Sequence, residues 1–263
     1  MIILRSVLFN ALFYANLVLQ MIVMTPAYFL LPRRKAYWVA KTWARSCHWL
    51  FAKVVGTTFE IEGLENVPKG VGYIFAPKHQ SFWDAYAPLA WVEDPFYILK
   101  RELTWIPLFG WYLKKQRMVP VDRSARGKAM AAVMERAKAE MRSGRQLIIY
   151  PEGTRRPPGA PPEYKYGIAR LYRDLGVPVV PIVMHPGLFW PRRKFIRYPG
   201  HFKVRVLAPI APGMEPDAFL AHLVEVMETA SDRLLVETAE ANPDLPLPES
   251  ALARLAELKA RAA

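Results

Sequence analysis

A single cysteine in 263 residues, Cys47, excludes an intrachain disulfide and a thiolate zinc cluster. It stands in the aromatic stretch Arg45-Ser-Cys-His-Trp-Leu-Phe51, the setting of a buried and unreactive thiol. Acidic residues are few beside basic ones, 23 against 36, so the chain carries a formal charge of +13. Such a balance calls for anionic partners: nucleic acid, an acidic membrane surface or phosphorylated substrates. The basic residues are scattered and form no nucleic-acid recognition motif, which argues for no nucleic-acid partner. Internal repeats and low-complexity blocks are also missing, and 52% of the residues are hydrophobic, enough to bury a sizeable core.

Charge is absent altogether from Ser6 to Pro32. The run is longer than the ~20 apolar residues that cross a bilayer. It closes on Pro32-Arg-Arg-Lys35, a basic flank that the positive-inside rule assigns to the cytoplasmic side, here of a bacterial inner membrane. A cleaved signal peptide would be shorter and would end on small residues. Asn10, Asn16 and Gln20 disfavour a simple span, and Ala36 to Val55 supplies a second aromatic-rich helix whose Lys41, Arg45 and Lys53 can face anionic headgroups. Residues 1–56 are therefore expected to form a membrane-associating helical hairpin that dips into one leaflet, with a single spanning helix as the rival.

From Thr57 onward strand-like and helix-like segments alternate, the pattern of an α/β domain. Strands are expected at 57–62, 72–76, 96–99, 118–121, 146–150, 177–183 and 202–207, giving one layered domain over 57–241 with a mixed sheet flanked by helices. The clearest helix runs from Gly127 to Ser143, with Met130, Val133, Met134, Ala137 and Met141 on a core-facing stripe and Gly144 as its cap. A long helix from Pro216 to about Glu240 precedes a proline-spaced linker and a short amphipathic helix over 242–263, read as peripheral.

Two loops carry chemistry. In Ala76-Pro-Lys-His-Gln-Ser-Phe-Trp-Asp84 a strand ends, a histidine follows and a carboxylate lies five residues on. His79 with Asp84 fits a general base with its orienting carboxylate; Ser81 to Asp84 equally fits a helix capping box. In Tyr150-Pro-Glu-Gly-Thr-Arg-Arg156 a carboxylate, a flexible glycine, a hydroxyl and two guanidiniums again follow an apolar strand. That composition suits either an anion site or a polar surface turn.

The order and spacing of these elements, from Phe51 to about Leu207, resemble the glycerolipid acyltransferase family. Lys78-His-Gln-Ser-Phe-Trp-Asp84 is similar to the family's Asn-His-x-x-x-x-Asp, with lysine in place of asparagine. Leu99-Lys-Arg-Glu-Leu103 with Ile106-Pro-Leu-Phe-Gly110, Val119-Pro-Val-Asp-Arg123, Glu152-Gly-Thr-Arg155, Lys165-Tyr-Gly167 and Val177-Pro-Val-Val-Pro-Ile182 resemble its later blocks. The resemblance implies transfer of a fatty acyl group from an acyl-carrier protein or coenzyme A thioester to the sn-2 hydroxyl of lysophosphatidic acid, with no metal or bound cofactor. It implies His79 and Asp84 as the catalytic pair. Lys100, Arg123, Glu152, Gly153, Thr154 and Arg155 would stand at the acceptor. The competing readings are acylation of another lysolipid, such as a lyso-ornithine lipid or lysophosphatidylglycerol, and a catalytically silent membrane-surface scaffold of the same fold.

Overall fold

The computed structural model describes residues 1–122 and 128–262. Seven strands form a single sheet in the order β1-β7-β6-β2-β5-β3-β4: β1 is Thr57–Glu62, β2 Tyr73–Pro77, β3 Pro95–Lys100, β4 Val119–Val121, β5 Gln146–Ile148, β6 Val179–Met184 and β7 Gly200–Val206. All neighbours are parallel except β6 and β7, so the sheet is mixed, in keeping with the expected fold class. The central strand β2 is buried along its length, and its alternation divides the core. Tyr73 and Phe75 join one cluster with Phe9, Phe51, Trp83, Trp190 and Phe202; Ile74 and Ala76 join another with Phe96, Leu147, Tyr172, Phe219 and Met227.

The first cluster is closed by α1 (Ile2–Leu30) and α2 (Arg33–Leu50), the second by α5 (Lys128–Arg142), α6 (Gly167–Leu175) and α7 (Pro216–Ala241). Val133, Ala137 and Met141 of the predicted stripe are buried in that second core, and Gly144 caps α5 at φ +79°. The side chain of Met130 lies outside the described residues.

Asn10, Asn16 and Gln20 of α1 lie on its docked side. Asn10 donates to the Phe195 carbonyl (3.1 Å) and accepts from Arg197 (2.9 Å), while Asn16 and Gln20 each donate to Ser46 Oγ of α2 at 2.9 Å. On the same face Phe9 and Phe13 enter the core, and Tyr28 stacks at 3.9 Å on Tyr112 of α4 (Phe109–Lys115). At 1.5 Å per residue the helix is about 43 Å long, and it is held against protein from Ser6 to Tyr28. Its other face leaves Leu4, Leu8, Val18, Leu19, Ile22 and Val23 exposed. By hydropathy alone the asparagines and glutamine are defects in a membrane helix; in the fold they are the hydrogen-bonding half of a docking stripe.

The C-terminal segment differs from expectation. Leu245 and Ala251 are buried, Ser250 Oγ donates to the Pro158 carbonyl at 2.8 Å, and Arg254 of α8 (Glu249–Ala262) pairs with Asp232 of α7. The proline-spaced stretch expected to be a linker carries apolar side chains back onto the core, so the tail is packed rather than peripheral.

A buried ionic hub ties these layers together. Arg145, fully buried after α5, donates to Asp94 (3.2 Å), Glu140 (2.8 Å) and the carbonyls of Pro95 (2.9 Å) and Gln116 (3.0 Å). Asp94 also receives two hydrogen bonds from Arg33 at the start of α2, at 2.6 and 2.7 Å. Burial alone would raise the Asp94 carboxyl, but Arg33 and Arg145 hold it below the ordinary carboxylate range. Removing one member of such a network leaves buried charge unpaired. Asp94→Asn is expected to destabilise the fold by about 3 kcal/mol, read by denaturant unfolding in detergent. Because the folded value is the depressed one, the Asp94 contribution is present above the unfolded value near ~3.9 and fades as pH falls through the lower folded value. The variant should lack that acid-sensitive component.

Candidate active site

Parallel strands send their C-terminal ends to one edge of a sheet, the edge at which α/β folds bind ligands. Here β2 ends before His79, β5 before Tyr150 to Arg156, β3 at Lys100, and β6 before the loop that holds Trp190 to Lys194. The sequence-predicted loops therefore meet at one place.

His79 Nδ1 lies 2.6 Å from Asp84 Oδ1. The other carboxylate oxygen, Oδ2, accepts the backbone amides of Gln80 and Ser81, both at 2.7 Å. Asp84 is fully buried, and its Oδ2 is filled by the two amides. With a carboxylate oxygen 2.6 Å away, Nδ1 is the donor, which leaves the Nε2 lone pair free; the imidazole is 17% exposed and Nε2 has no partner among the described residues. Ser81 Oγ accepts the Trp83 amide (3.2 Å), while Asp84 reaches back to the Ser81 amide. The turn that leads into α3 (Trp83–Tyr86), whose cap position Phe82 has no side-chain cap, thus fixes the carboxylate against the imidazole. Ser81 is itself buried and donates to the Trp190 carbonyl at 2.9 Å, which removes it as a nucleophile.

The second loop locks onto the first. The Tyr150 ring stacks on the His79 ring with centroids 4.0 Å apart, its hydroxyl donates to the Asp84 carbonyl (2.9 Å), and the Arg156 amide donates to the His79 carbonyl (2.8 Å). Gly153 takes the left-handed conformation, φ +68°, that turns the chain from Tyr150 towards Arg155, and its amide donates to the Tyr150 carbonyl at 3.0 Å. Arg155 is partly buried, with its guanidinium in the field of Asp84. Burial lowers its pKa, and so does the like charge of Arg192 and Arg193.

Glu152 is only 2% exposed and sits 3.5 Å from Lys78 Nζ. Burial pushes its carboxyl above the ordinary range, and Lys78 with the His79 amide only partly reverses this. Lys78 makes its short contact, 2.6 Å, with Glu228 of α7, which also accepts from the Tyr164 hydroxyl at 2.7 Å. The lysine that replaces the family's asparagine thus has its own counter-charge. Thr154 is exposed beside Arg155. Lys100 is exposed two strands away and has no hydrogen bond or ion pair among the described residues. Arg123 lies outside the described residues.

Tyr150, Arg192 and Glu228 are the members that sequence reasoning missed. Only the basic run Pro191-Arg-Arg-Lys194 left a visible trace. Of the other histidines, His185 is buried, accepts from Gln80 Nε2 and donates to the Ser231 carbonyl; burial holds its pKa near 4, the signature of a neutral structural group. His48 lies within an aromatic cage of Phe59, Trp83, Tyr86 and Trp91, with its pKa lowered to about 4 by burial.

Residues 58–185 match the model of the Acyltransferase family. A 1-acyl-sn-glycerol-3-phosphate acyltransferase of Pseudomonas aeruginosa is 32% identical over 216 residues, 81% of this chain and 82% of that protein. The alpha enzyme of the same name from Homo sapiens is 30% identical over 165 residues, 62% of this chain and 58% of that protein. The crystal structure of the 1-acyl-sn-glycerophosphate (LPA) acyltransferase PlsC from Thermotoga maritima superposes with a TM-score of 0.74 at 25% identity, covering 89% of this chain and 98% of that one. With the histidine–aspartate pair and the Glu-Gly-Thr-Arg loop meeting at the same sheet edge, these likenesses establish that the chain belongs to the glycerolipid acyltransferase family.

Proposed function

We propose that the protein transfers a fatty acyl group from a coenzyme A or acyl-carrier-protein thioester to the sn-2 hydroxyl of lysophosphatidic acid, giving phosphatidic acid. The observation that carries this reading is the 2.6 Å contact between His79 Nδ1 and a buried, amide-bound Asp84, with Nε2 unpartnered. Nε2 takes the proton of the acceptor hydroxyl as its oxygen forms a bond to the thioester carbonyl carbon. Asp84 stabilises the imidazolium so formed and keeps its tautomer. Collapse of the tetrahedral intermediate breaks the carbon–sulfur bond, and the imidazolium returns the proton to the departing thiolate. No covalent enzyme intermediate, metal or bound cofactor enters these steps.

Arg155 takes the acceptor phosphate, with Gly153 and Thr154 at the same headgroup. Lys100 and Arg123 keep the phosphate role that the resemblance gives them. Glu152 acts from behind, as the buried partner of Lys78 that steadies the His79 segment. The relatives named for lysophosphatidic acid or its glycerophosphate core support this acceptor over the other lysolipids.

The same reading gives the exposed face of α1 to one leaflet of a membrane, on its cytoplasmic side. A helix docked along one face has apolar surface to spare only on the other, which suits a monotopic attachment.

Purified protein in mixed micelles should acylate lysophosphatidic acid, and His79→Ala and Asp84→Asn should each lower kcat by about 10²–10⁴-fold. Folded variants that keep wild-type rates would overturn the mechanism. Transfer only to lysophosphatidylglycerol or a lyso-ornithine lipid would keep the chemistry and discard the acceptor. For the membrane, Leu19→Glu with Ile22→Glu should release the protein from phospholipid vesicles in a pelleting assay while leaving its circular dichroism unchanged, since both side chains are exposed. Undiminished pelleting would reassign the attachment.

A further inference from the structure

Some exposed arginines in this chain pair with a carboxylate: Arg34 with Glu93, Arg101 with Asp122, Arg173 with Asp174. Those of the loop between β6 and β7 do not. Arg192 and Arg193 are exposed, and among the described residues neither makes an ion pair. Both act on Arg155, whose pKa is lowered by burial and by their positive charge. Arg192 also reaches across to donate to the Arg155 carbonyl at 2.8 Å. Arg193 holds φ +58°, a left-handed backbone that non-glycine residues seldom adopt. Arg192 thus lies against Arg155 at the edge of the sheet that holds His79, and Arg193 follows it in the same loop with its charge felt at Arg155.

We propose that Arg192 and Arg193 complete, with Arg155, a three-arginine clamp for a phosphomonoester dianion, and that they set the preference for a terminal phosphate over a phosphodiester headgroup. The inference rests on the acceptor reading above and adds to it a pair of specificity-determining residues outside the region matched by the family model. A phosphomonoester carries nearly two charges at pH 7 and three strong acceptor oxygens, whereas a phosphodiester carries one charge. Planar guanidiniums engage such oxygens by paired hydrogen bonds. Like charges held close with no carboxylate in contact leave a positive potential that one dianion neutralises better than one monoanion. The loop that carries them is anchored. The Arg197 amide donates to Ser6 Oγ (2.9 Å) and the Phe195 carbonyl accepts from Asn10, so the loop is tied to α1 a few residues beyond the arginines. The same phosphate chemistry could be offered by an anionic lipid of the bilayer, and the test separates the two sources.

Acyl transfer would be measured in zwitterionic micelles to lysophosphatidic acid and to lysophosphatidylglycerol, for wild type, Arg192→Gln/Arg193→Gln, Arg193→Gln alone, and Arg192→Lys/Arg193→Lys. The glutamine pair should raise KM for lysophosphatidic acid on the order of 10- to 100-fold. Its kcat should change little, its preference for the monoester should shrink, and lysines should restore part of the loss. Pelleting on phosphatidylglycerol vesicles should be unaltered. Thermal stabilisation by sn-glycerol 3-phosphate, a soluble dianion, should be seen with wild type and lost in the glutamine pair. An unchanged KM and unchanged stabilisation by glycerol 3-phosphate would overturn the clamp while leaving the acceptor reading intact. A loss confined to anionic vesicles and matched by loss of pelleting would overturn it in favour of a bilayer lipid. Wild type that is stabilised by glycerol 3-phosphate through these arginines, yet transfers no acyl group to lysophosphatidic acid, would keep the clamp and discard the acceptor reading.

Discussion

The burial of one carboxylate organises the site. Asp84 has no contact with water, so its charge must be met by donors fixed in the fold. Two are backbone amides of the turn after β2, and the third is the His79 ring. Meeting the charge this way requires a tight turn between Lys78 and Trp83, and the turn in turn needs its own ends held. Ser81 Oγ reaches the Trp190 carbonyl on the β6–β7 loop, the His79 carbonyl accepts the Arg156 amide, and the Asp84 carbonyl accepts the Tyr150 hydroxyl. The loops after β2, β5 and β6 are bound to each other through the demands of one buried group.

Tyr150 shows why such binding matters for chemistry. Its ring covers one face of the imidazole, which restricts rotation of His79 and removes solvent from that side. Nε2 remains on the accessible edge. A base held in one tautomer and one orientation loses little freedom when the acceptor hydroxyl arrives, and this is where positioned proton transfer gains over solution. Lys78, Glu152 and Glu228 serve the same end from the interior. They bring α7, which lies beyond the family-matched stretch, into contact with the residue next to the base. The departure from asparagine at position 78 is balanced by a carboxylate more than a hundred residues away in sequence.

The fold is legible where periodicity speaks for backbone. All seven strands fall within a few residues of where alternation and apolar runs put them, and α5 ends one residue from its expected close because Gly144 adopts the left-handed cap. Strand order is not legible: nothing local says that β7 inserts beside β1 and pairs antiparallel with β6. The site is legible where the chain is continuous, as in His79 to Asp84, whose five-residue separation is short enough for one turn to join them. Contacts that need the sheet to be assembled first stay hidden: Tyr150 on His79, Glu228 on Lys78 and Arg192 on Arg155. Glu152 is a different case. Its type and place in the loop point to the acceptor, and the strand end leaves it buried beside Lys78, a contact that the sequence does not display. The C-terminal tail departs from expectation because spacing of prolines reports stiffness, not whether leucines between them find a core.

The N-terminal helix joins the two halves of the problem that a lipid enzyme faces, reaching an apolar chain and a charged headgroup at once. Its exposed face carries Leu4, Leu8, Leu19 and Ile22, while its docked residues Ser6 and Asn10 hold the loop that carries Arg192 and Arg193. Because an α-helix is stiff over the short distance from Ser6 to Leu8, the height of that loop above the apolar face is set by covalent geometry and three hydrogen bonds. A lipid whose chain lies along the apolar face would meet the guanidiniums only if its phosphate stands at that height. Ser6 and Asn10 are therefore what tie the apolar surface of α1 to the loop at the sheet edge, while Asn16 and Gln20 tie it to α2 through Ser46. A uniformly apolar helix would carry no such directional ties and would leave the loop and the base without a common frame.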